Sequence, residues 1–323
     1  MNAESNAKSN AWQESGAGAV AATGTATRPF YWSVRRELWE NRSLYIAPLT
    51  AAAVVLLGFF VNAMHLPDGL RALSTLEPAR QRAAIAAIYS GAGILIVVTM
   101  AVVAWFYCLD ALYSERRDRS ILFWKSLPVS DLTTVLSKAF IPLVAVPVIT
   151  FVIVAATQLI ILLLSTVVLL AKGVSIATLW MQLPLLQIWL ALVYSLIVLS
   201  LWYAPIYGWL LLVSAWARRS TFLWAAMPPL AVCVVEKIAF DTGHFWSILR
   251  DRLAGGLQQG FAVTRSAEGF VMGPSRMGAE AGAHMQLLDP VKFLGSPSLW
   301  IGLVVAAALI VAAVWMRRYR EPI

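Results

Sequence analysis

Apolar residues in this chain gather in long, nearly unbroken runs separated by short polar and charged stretches. Six runs stand out: Leu44 to Ala63, Ile85 to Leu112, Phe140 to Ala171, Leu183 to Ala217, Thr221 to Phe240 and Pro297 to Met316. A bilayer core about 30 Å thick needs about 20 apolar residues in helix, so each run is predicted to span a membrane. Between Lys138 and Arg218 the only charged residue is Lys172. That stretch is predicted to be two long helices joined by a tight turn at Lys172-Gly173. The fifth run contains Pro228-Pro229 and ends in Glu236-Lys237. Because a proline pair removes two helix donors, this span is expected to be short or broken.

Composition agrees with the pattern. The 323 residues are 60% hydrophobic and 13% charged, with a mean hydropathy of +0.73, against about 25% charged for a soluble domain. A soluble globular enzyme, a disordered protein and a secreted disulfide scaffold are all excluded. Cys108 and Cys233 lie in apolar runs and read as small buried hydrophobes. The net charge of +8 would suit nucleic acid in a soluble chain, but in a membrane protein it marks orientation. Lys8, Arg28, Arg35, Arg36, Arg42, Arg116, Arg117, Arg119, Lys125, Lys138, Arg218, Arg219, Arg317, Arg318 and Arg320 fall on the side of the termini, whereas the short loops opposite hold Arg71, Arg80, Arg82 and Lys172. Both termini are therefore expected in the cytoplasm, and nucleic acid is not expected as a partner.

Residues 1–27 are rich in Ala, Ser, Gly, Asn and Thr and read as a flexible cytoplasmic tail rather than a signal peptide; residues 28–323 read as one transmembrane domain. On a helix, Trp32, Arg35, Arg36, Trp39 and Arg42 form an aromatic and basic interfacial element leading into the first span. Asn41-Arg42-Ser43 matches a glycosylation sequon, which the cytoplasmic placement makes meaningless. In the long outer loop, 241–296, Phe245, Ile248, Leu249, Leu253 and Leu257 recur at helical spacing. Amphipathic helices lying at or dipping into the outer interface are expected there, with an irregular stretch from Gly269 to Gly282.

Catalytic signatures are missing: there is no GxxxxGK[ST], HExxH or GxSxG. His65, His244 and His284 fall in outer loops without metal-ligand spacing, so no metal is expected. The run AGGLQQG, 254–260, reads as a chance likeness to a nucleotide-binding loop. Two acids near span ends, Asp110 and Glu236, are possible intramembrane polar sites, though both lie close to an interface.

The segment from Leu112 to Ala139 carries the most information. Glu115 and Arg119 are spaced i,i+4, a favourable helical pair. Pro128 ends that first helix, and Ser130 or Asp131 caps a second, which runs through Leu132, Val135, Leu136 and Lys138 into the third span. The expectation is a rigid cytoplasmic helical hairpin over residues 112–139. Its tip carries Phe123, Trp124 and Leu127 beside Arg116, Arg117, Arg119 and Lys125, the usual composition of a protein-docking hot spot.

The run ERRDRSILFWKSLPVSDLTTVLSK, 115–138, between the second and third of six spans, resembles permease subunits of bacterial ATP-binding-cassette exporters, the ABC type-2 permeases. The likeness is close over about thirty residues, and the span pattern agrees over nearly the whole chain. It implies an all-α integral membrane protein with six transmembrane helices, an N-terminal interfacial helix, a cytoplasmic coupling hairpin between spans 2 and 3, and an amphipathic or re-entrant outer region before span 6. It further implies a multi-pass protein of the bacterial inner membrane that is not itself an enzyme and binds no cofactor. ATP and Mg are expected on a separate ABC ATPase partner, present in two copies, and the permease would pair with itself or a related permease in the lipid bilayer. Glu115, Arg116, Asp118, Arg119, Phe123, Trp124, Lys125, Ser126, Pro128, Ser130 and Asp131 would then form the ATPase-coupling surface, flanked by the interfacial helix. An ion-driven secondary transporter would need several buried polar groups at mid-membrane. An intramembrane enzyme would need a nucleophile and base within spans, where no histidine lies. Leu-, Val-, Ala-, Ile- and Trp-rich spans suit a hydrophobic or amphipathic cargo.

Overall fold

The computed structural model describes residues 29–63, 78–118, 130–173, 180–181, 183–256 and 290–319, and every regular element among them is helical. In chain order these are α1 (Pro29–Glu40), α2 (Ser43–Asn62), α3 (Pro78–Asp110), α4 (Tyr113–Arg117), α5 (Asp131–Phe140), a π-helical turn (Ile141–Ala145), α6 (Val146–Ala171), α7 (Leu185–Trp216), α8 (Thr221–Phe240), α9 (His244–Ala254), α10 (Pro290–Leu294) and α11 (Pro297–Tyr319). Six helical stretches are long and apolar enough to cross a membrane. They coincide with the six runs read from the sequence, and the chain is a multi-pass membrane protein.

The third stretch is helical from Asp131 to Ala171, so the helix expected to start at Ser130 or Asp131 runs on into the third span as predicted. Pro142 lies in the π turn and Pro147 just beyond it. Each proline lacks the N–H of a regular turn and crowds the carbonyl four residues back; widening the turn relieves that conflict without ending the helix. At the far end of α6, Gly173 adopts φ +66° and its N–H reaches the Leu170 carbonyl at 3.0 Å. This left-handed C-terminal position favours glycine, and it places a turn at Lys172-Gly173 as the sequence implied.

The fifth span corrects the expectation of a broken helix. α8 is one helix of 20 residues with Pro228 and Pro229 inside it. Pro229 cannot donate to the Ala225 carbonyl; the Trp209 indole N–H of α7 takes that role at 3.0 Å. Trp224 packs edge-on against Trp216, fixing the start of α8 beside the end of α7. A neighbour's donor thus replaces the missing backbone bond, which is how a proline is tolerated inside a span. No residue of α8 is buried, so its sides are open to lipid.

α7 and α11 form the tightest helix pair. Gly208 of α7 lies where an added Cβ would stand 3.2 Å from both the Ala306 carbonyl oxygen and Leu309 Cβ. Ala306, Ala313 and Gly302 are buried on the facing side. Small residues let the two backbones approach closely, the usual basis of helix association in lipid. One apolar cluster joins Leu44, Met100, Cys108, Ile141 and Leu211, and a second joins Leu112, Val135, Ala215 and Ala313. Both gather at the end of the bundle where α1, α4, α5 and the last turn of α11 meet.

α9 realises the amphipathic helix expected after the fifth span, over its first part. Its last turn folds back on α7: Trp202 Nε1 donates to the Arg252 carbonyl (3.0 Å) and the Tyr203 hydroxyl to the Leu253 carbonyl (2.8 Å). Arg252 stacks on the Trp202 ring, 4.2 Å from its centroid, and donates to the Ser298 carbonyl of α11 at 2.7 Å. The segment is pinned against two spans. Its continuation, including the irregular stretch expected over 269–282, lies outside the described residues.

Candidate functional site

The feature no single run of sequence announces is a buried ionic cluster where four helices converge. Glu37 of α1 is 1% exposed and Glu115 of α4 is 7% exposed. Lys138 of α5 bridges them, with Nζ 2.8 Å from Glu37 Oε1 and 3.1 Å from Glu115 Oε1. Arg36 repeats the bridge from the other side, at 2.9 Å and 3.1 Å. Arg317, from the last turn of α11, pairs with Glu115 through Nη1 and with Asp131 of α5 through Nε at 3.0 Å. The Tyr107 hydroxyl of α3 donates to Glu37 Oε2 at 3.0 Å. Arg36 also reaches Glu40, exposed at the end of α1, at 3.6 Å, so three cations face four carboxylates.

Each helix contributes for a local reason. In α1, Val34 and Leu38 pack on the apolar core, and Glu37, on the same face, is carried inward with them. α5 starts at Ser130, whose Oγ accepts the Thr133 N–H at 3.1 Å. Ser130 is therefore the cap, and Asp131, free of that role, turns to Arg317. α4 is held by Arg116, 2% exposed, which donates to the carbonyls of Ser214 (2.9 Å) and Ala217 (2.6 Å) at the end of α7. Ser214 Oγ in turn accepts the N–H groups of Leu112 and Tyr113, both at 2.9 Å, so the break between α3 and α4 leaves no orphan donors there.

Burial works against the charged form of Glu37, but Lys138 and Arg36 outweigh it and hold its carboxyl below the usual carboxylate range. Arg36, also disfavoured by burial, is pushed above its ordinary value by Glu37. Removing a group from water this completely is costly unless its partners replace the hydration. Here every carboxylate oxygen of Glu37 and Glu115 has a cation or hydroxyl beside it.

The residues expected on the docking surface fall into several groups. Glu115 and Arg116 face into the bundle, and Glu115 pairs with Arg36, Lys138 and Arg317. A partner has no access to either residue without opening the cluster. Ser130 is a helix cap, and Asp131 is a half-buried member of the ionic cluster. Asp118 is exposed and pairs with neighbouring Arg117 at 3.0 Å. Arg119, Phe123, Trp124, Lys125, Ser126 and Pro128 lie outside the described residues. Of the interfacial helix, Arg36 turns inward, whereas Trp32, Arg35 and Trp39 point outward, and Arg42 is exposed just beyond the end of α1.

The two acids near span ends separate clearly. Asp110 is exposed at the end of α3. Glu236 reaches across to the start of α9, where Oε1 accepts the His244 N–H and Oε2 the Phe245 N–H, both at 2.8 Å, and the Thr242 hydroxyl adds a third bond at 2.9 Å. A carboxylate on the first N–H groups of a helix caps it and complements its dipole. Its oxygens are thereby occupied in structure, and no transport role follows from them.

Glu37, Lys138, Arg317 and Tyr107 are the members that sequence reasoning missed. In the sequence Lys138 and Arg317 count as orientation signals, and nothing singles out Glu37 or Tyr107. Their meeting joins residues 101 and 202 positions apart, a spacing with no local signature. Among the described residues no group of histidines, cysteines and acids is placed to hold a metal. No protein-family model, curated protein or solved structure matches the chain.

Proposed function

We propose that the chain is the membrane subunit of an ATP-driven exporter, moving its substrate outward with ATP hydrolysed by a separate ATPase chain. The supporting observation is the ionic cluster, which joins both flanks of the segment 119–129 to two other elements. Glu115 precedes that segment and Asp131 and Lys138 follow it; Arg36 and Glu37 tie both to α1, and Arg317 ties both to the last span. A partner pushing on residues 119–129 would move α1, the second and third spans and the last span together. Because Lys138 touches two carboxylates and Arg36 three, one contact can lengthen while another holds, so a small displacement need not expose an unpaired charge. In this reading the cluster lies on the cytoplasmic side, ATP binding closes the two ATPase subunits, and the paired permeases open outward.

Buried carboxylates are what a secondary transporter requires, and Glu37 and Glu115 are buried. Both, however, sit at helix ends and are neutralised by two and three cations respectively. A proton or sodium carrier needs an acid that exchanges its charge along a pathway, and these acids are held ionised by the protein's own cations.

The test is whether an ABC ATPase co-purifies with this chain, followed by reconstitution of the pair. Trp124→Ala and Arg119→Glu should lower ATPase recovery or uncouple hydrolysis from export at least tenfold while the permease remains folded in the membrane. Full ATPase binding and export in both variants would sink the assignment.

A further inference from the structure

α1 divides its cations between two fates. Arg36 is neutralised inside the ionic cluster, but Arg35 and Arg42 make no ion pair or side-chain hydrogen bond among the described residues. Arg35 lies between two indoles, 5.2 Å from the centroid of Trp32 and 4.9 Å from that of Trp39. Trp39 and Arg42 then line, with Tyr45 and Ile46, a shallow open depression of about 410 Å³ at the junction of α1 and α2. Trp32, Trp39, Tyr45 and Ile46 are all exposed. Two arginines without a carboxylate partner among the described residues, in an aromatic setting and beside a cluster in which every cation has one, ask for an anion. The apolar exposed face of α2 continues from the depression through Leu49 and Val54, along the direction an acyl chain would take.

We propose that this junction binds the headgroup of an anionic phospholipid, with Arg42 and Arg35 on the phosphate and the indoles and Tyr45 at the glycerol level. Guanidinium groups form paired hydrogen bonds with phosphate oxygens. Indole and phenol rings prefer the headgroup layer of a bilayer. Stacking on Trp32 and Trp39 restrains Arg35, so less side-chain freedom is lost when the lipid arrives. A phosphodiester with attached acyl chains satisfies both halves of the depression, whereas a free phosphate satisfies only the cationic half.

The experiment is native mass spectrometry of the full chain in detergent, titrated with phosphatidylglycerol or with phosphatidylcholine of the same acyl chains. The wild type should prefer the anionic lipid at least tenfold for its first bound molecule. Arg42→Gln should reduce that preference about fivefold, the contribution of one surface cation beside anionic lipid. Arg35→Gln with Arg42→Gln should bring it near parity. Arg42→Lys should keep most of it, which separates loss of charge from loss of fold. Arg318→Gln, an exposed cation outside the junction, should leave it unchanged. Retention of the preference in the double variant, or an equal loss in Arg318→Gln, would overturn the assignment. So would a wild type without preference for phosphatidylglycerol. Lipid binding needs no ATPase, so its outcome is independent of the transport reading.

Discussion

Two buried polar networks hold this bundle together, and they are built on different rules. At one end, Glu37, Glu115, Asp131, Arg36, Lys138 and Arg317 form a cluster of full charges. Farther along the spans, Gln158 of α6 donates to the Tyr89 carbonyl of α3 (3.2 Å) and accepts from the Trp189 indole of α7 (2.9 Å). The Tyr89 hydroxyl donates to Ser165 at 3.0 Å. Both networks cross-link helices distant in sequence, but the second contains no formal charge. The difference follows depth. Charges concentrate at helix ends, where six of them can converge and where water is close at hand before the chain folds, while the apolar interior admits only neutral groups that satisfy one another.

If that distinction is right, losing one partner should cost far more in the charged network. Glu115→Ala strips a carboxylate contact from each of Arg317, Lys138 and Arg36 inside the bundle. Unfolding in mixed micelles should show a loss of about 3–5 kcal/mol, the range for breaking a buried ion pair from one side. Gln158→Leu, which removes two neutral hydrogen bonds and keeps the volume, should cost about 1 kcal/mol. Equal losses would mean that burial alone, not charge, sets the energetics of both networks.

Acidification should also distinguish them, with a smaller effect. The carboxyl of Glu37 is held lower in the folded chain than in the unfolded one, where it sits near about 4.3. Its stabilisation is therefore complete above that value and is lost as pH falls through the lower, folded value. The melting temperature of the wild type should fall below about pH 4, and the fall should be shallower for Glu37→Gln. The Gln158→Leu chain should be less stable throughout, with an acid limb parallel to that of the wild type. A Glu37→Gln curve parallel to the wild type would place the acid sensitivity elsewhere.

The sequence revealed the charged network only in part. Runs of apolar residues are local, so the six spans and the Lys172-Gly173 turn were legible. Capping at residues 130–131 was legible too, because a cap is a relation over three residues. Glu37, Lys138 and Arg317 were not, since their relation is spread over most of the chain and each alone fits the ordinary excess of charge at a membrane face. The distant partners of Glu115 are hidden for the same reason: local spacing points only to Arg119, and nothing nearby signals Arg36, Lys138 and Arg317. The fifth span failed differently. A proline pair in isolation does predict a break, and the donor that prevents it comes from Trp209, on another helix.

That rescue provides the most finely resolved test of what a neutral bond contributes inside the bundle. Trp209→Phe keeps an aromatic ring but removes the N–H that serves the Ala225 carbonyl, and should cost about 1 kcal/mol. Part of that cost would come from lost packing of the larger ring, which a single variant cannot separate. Pro229→Ala supplies the separation, because alanine restores the backbone N–H four residues beyond Ala225 and gives the carbonyl an intrahelical partner. In that background the hydrogen-bond share of the Trp209→Phe cost should disappear, leaving only the packing share. The coupling energy from the four-chain cycle is then the worth of one indole bond at a proline inside a span. A coupling near zero would show that α8 keeps its course through backbone geometry alone, without the Trp209 bond.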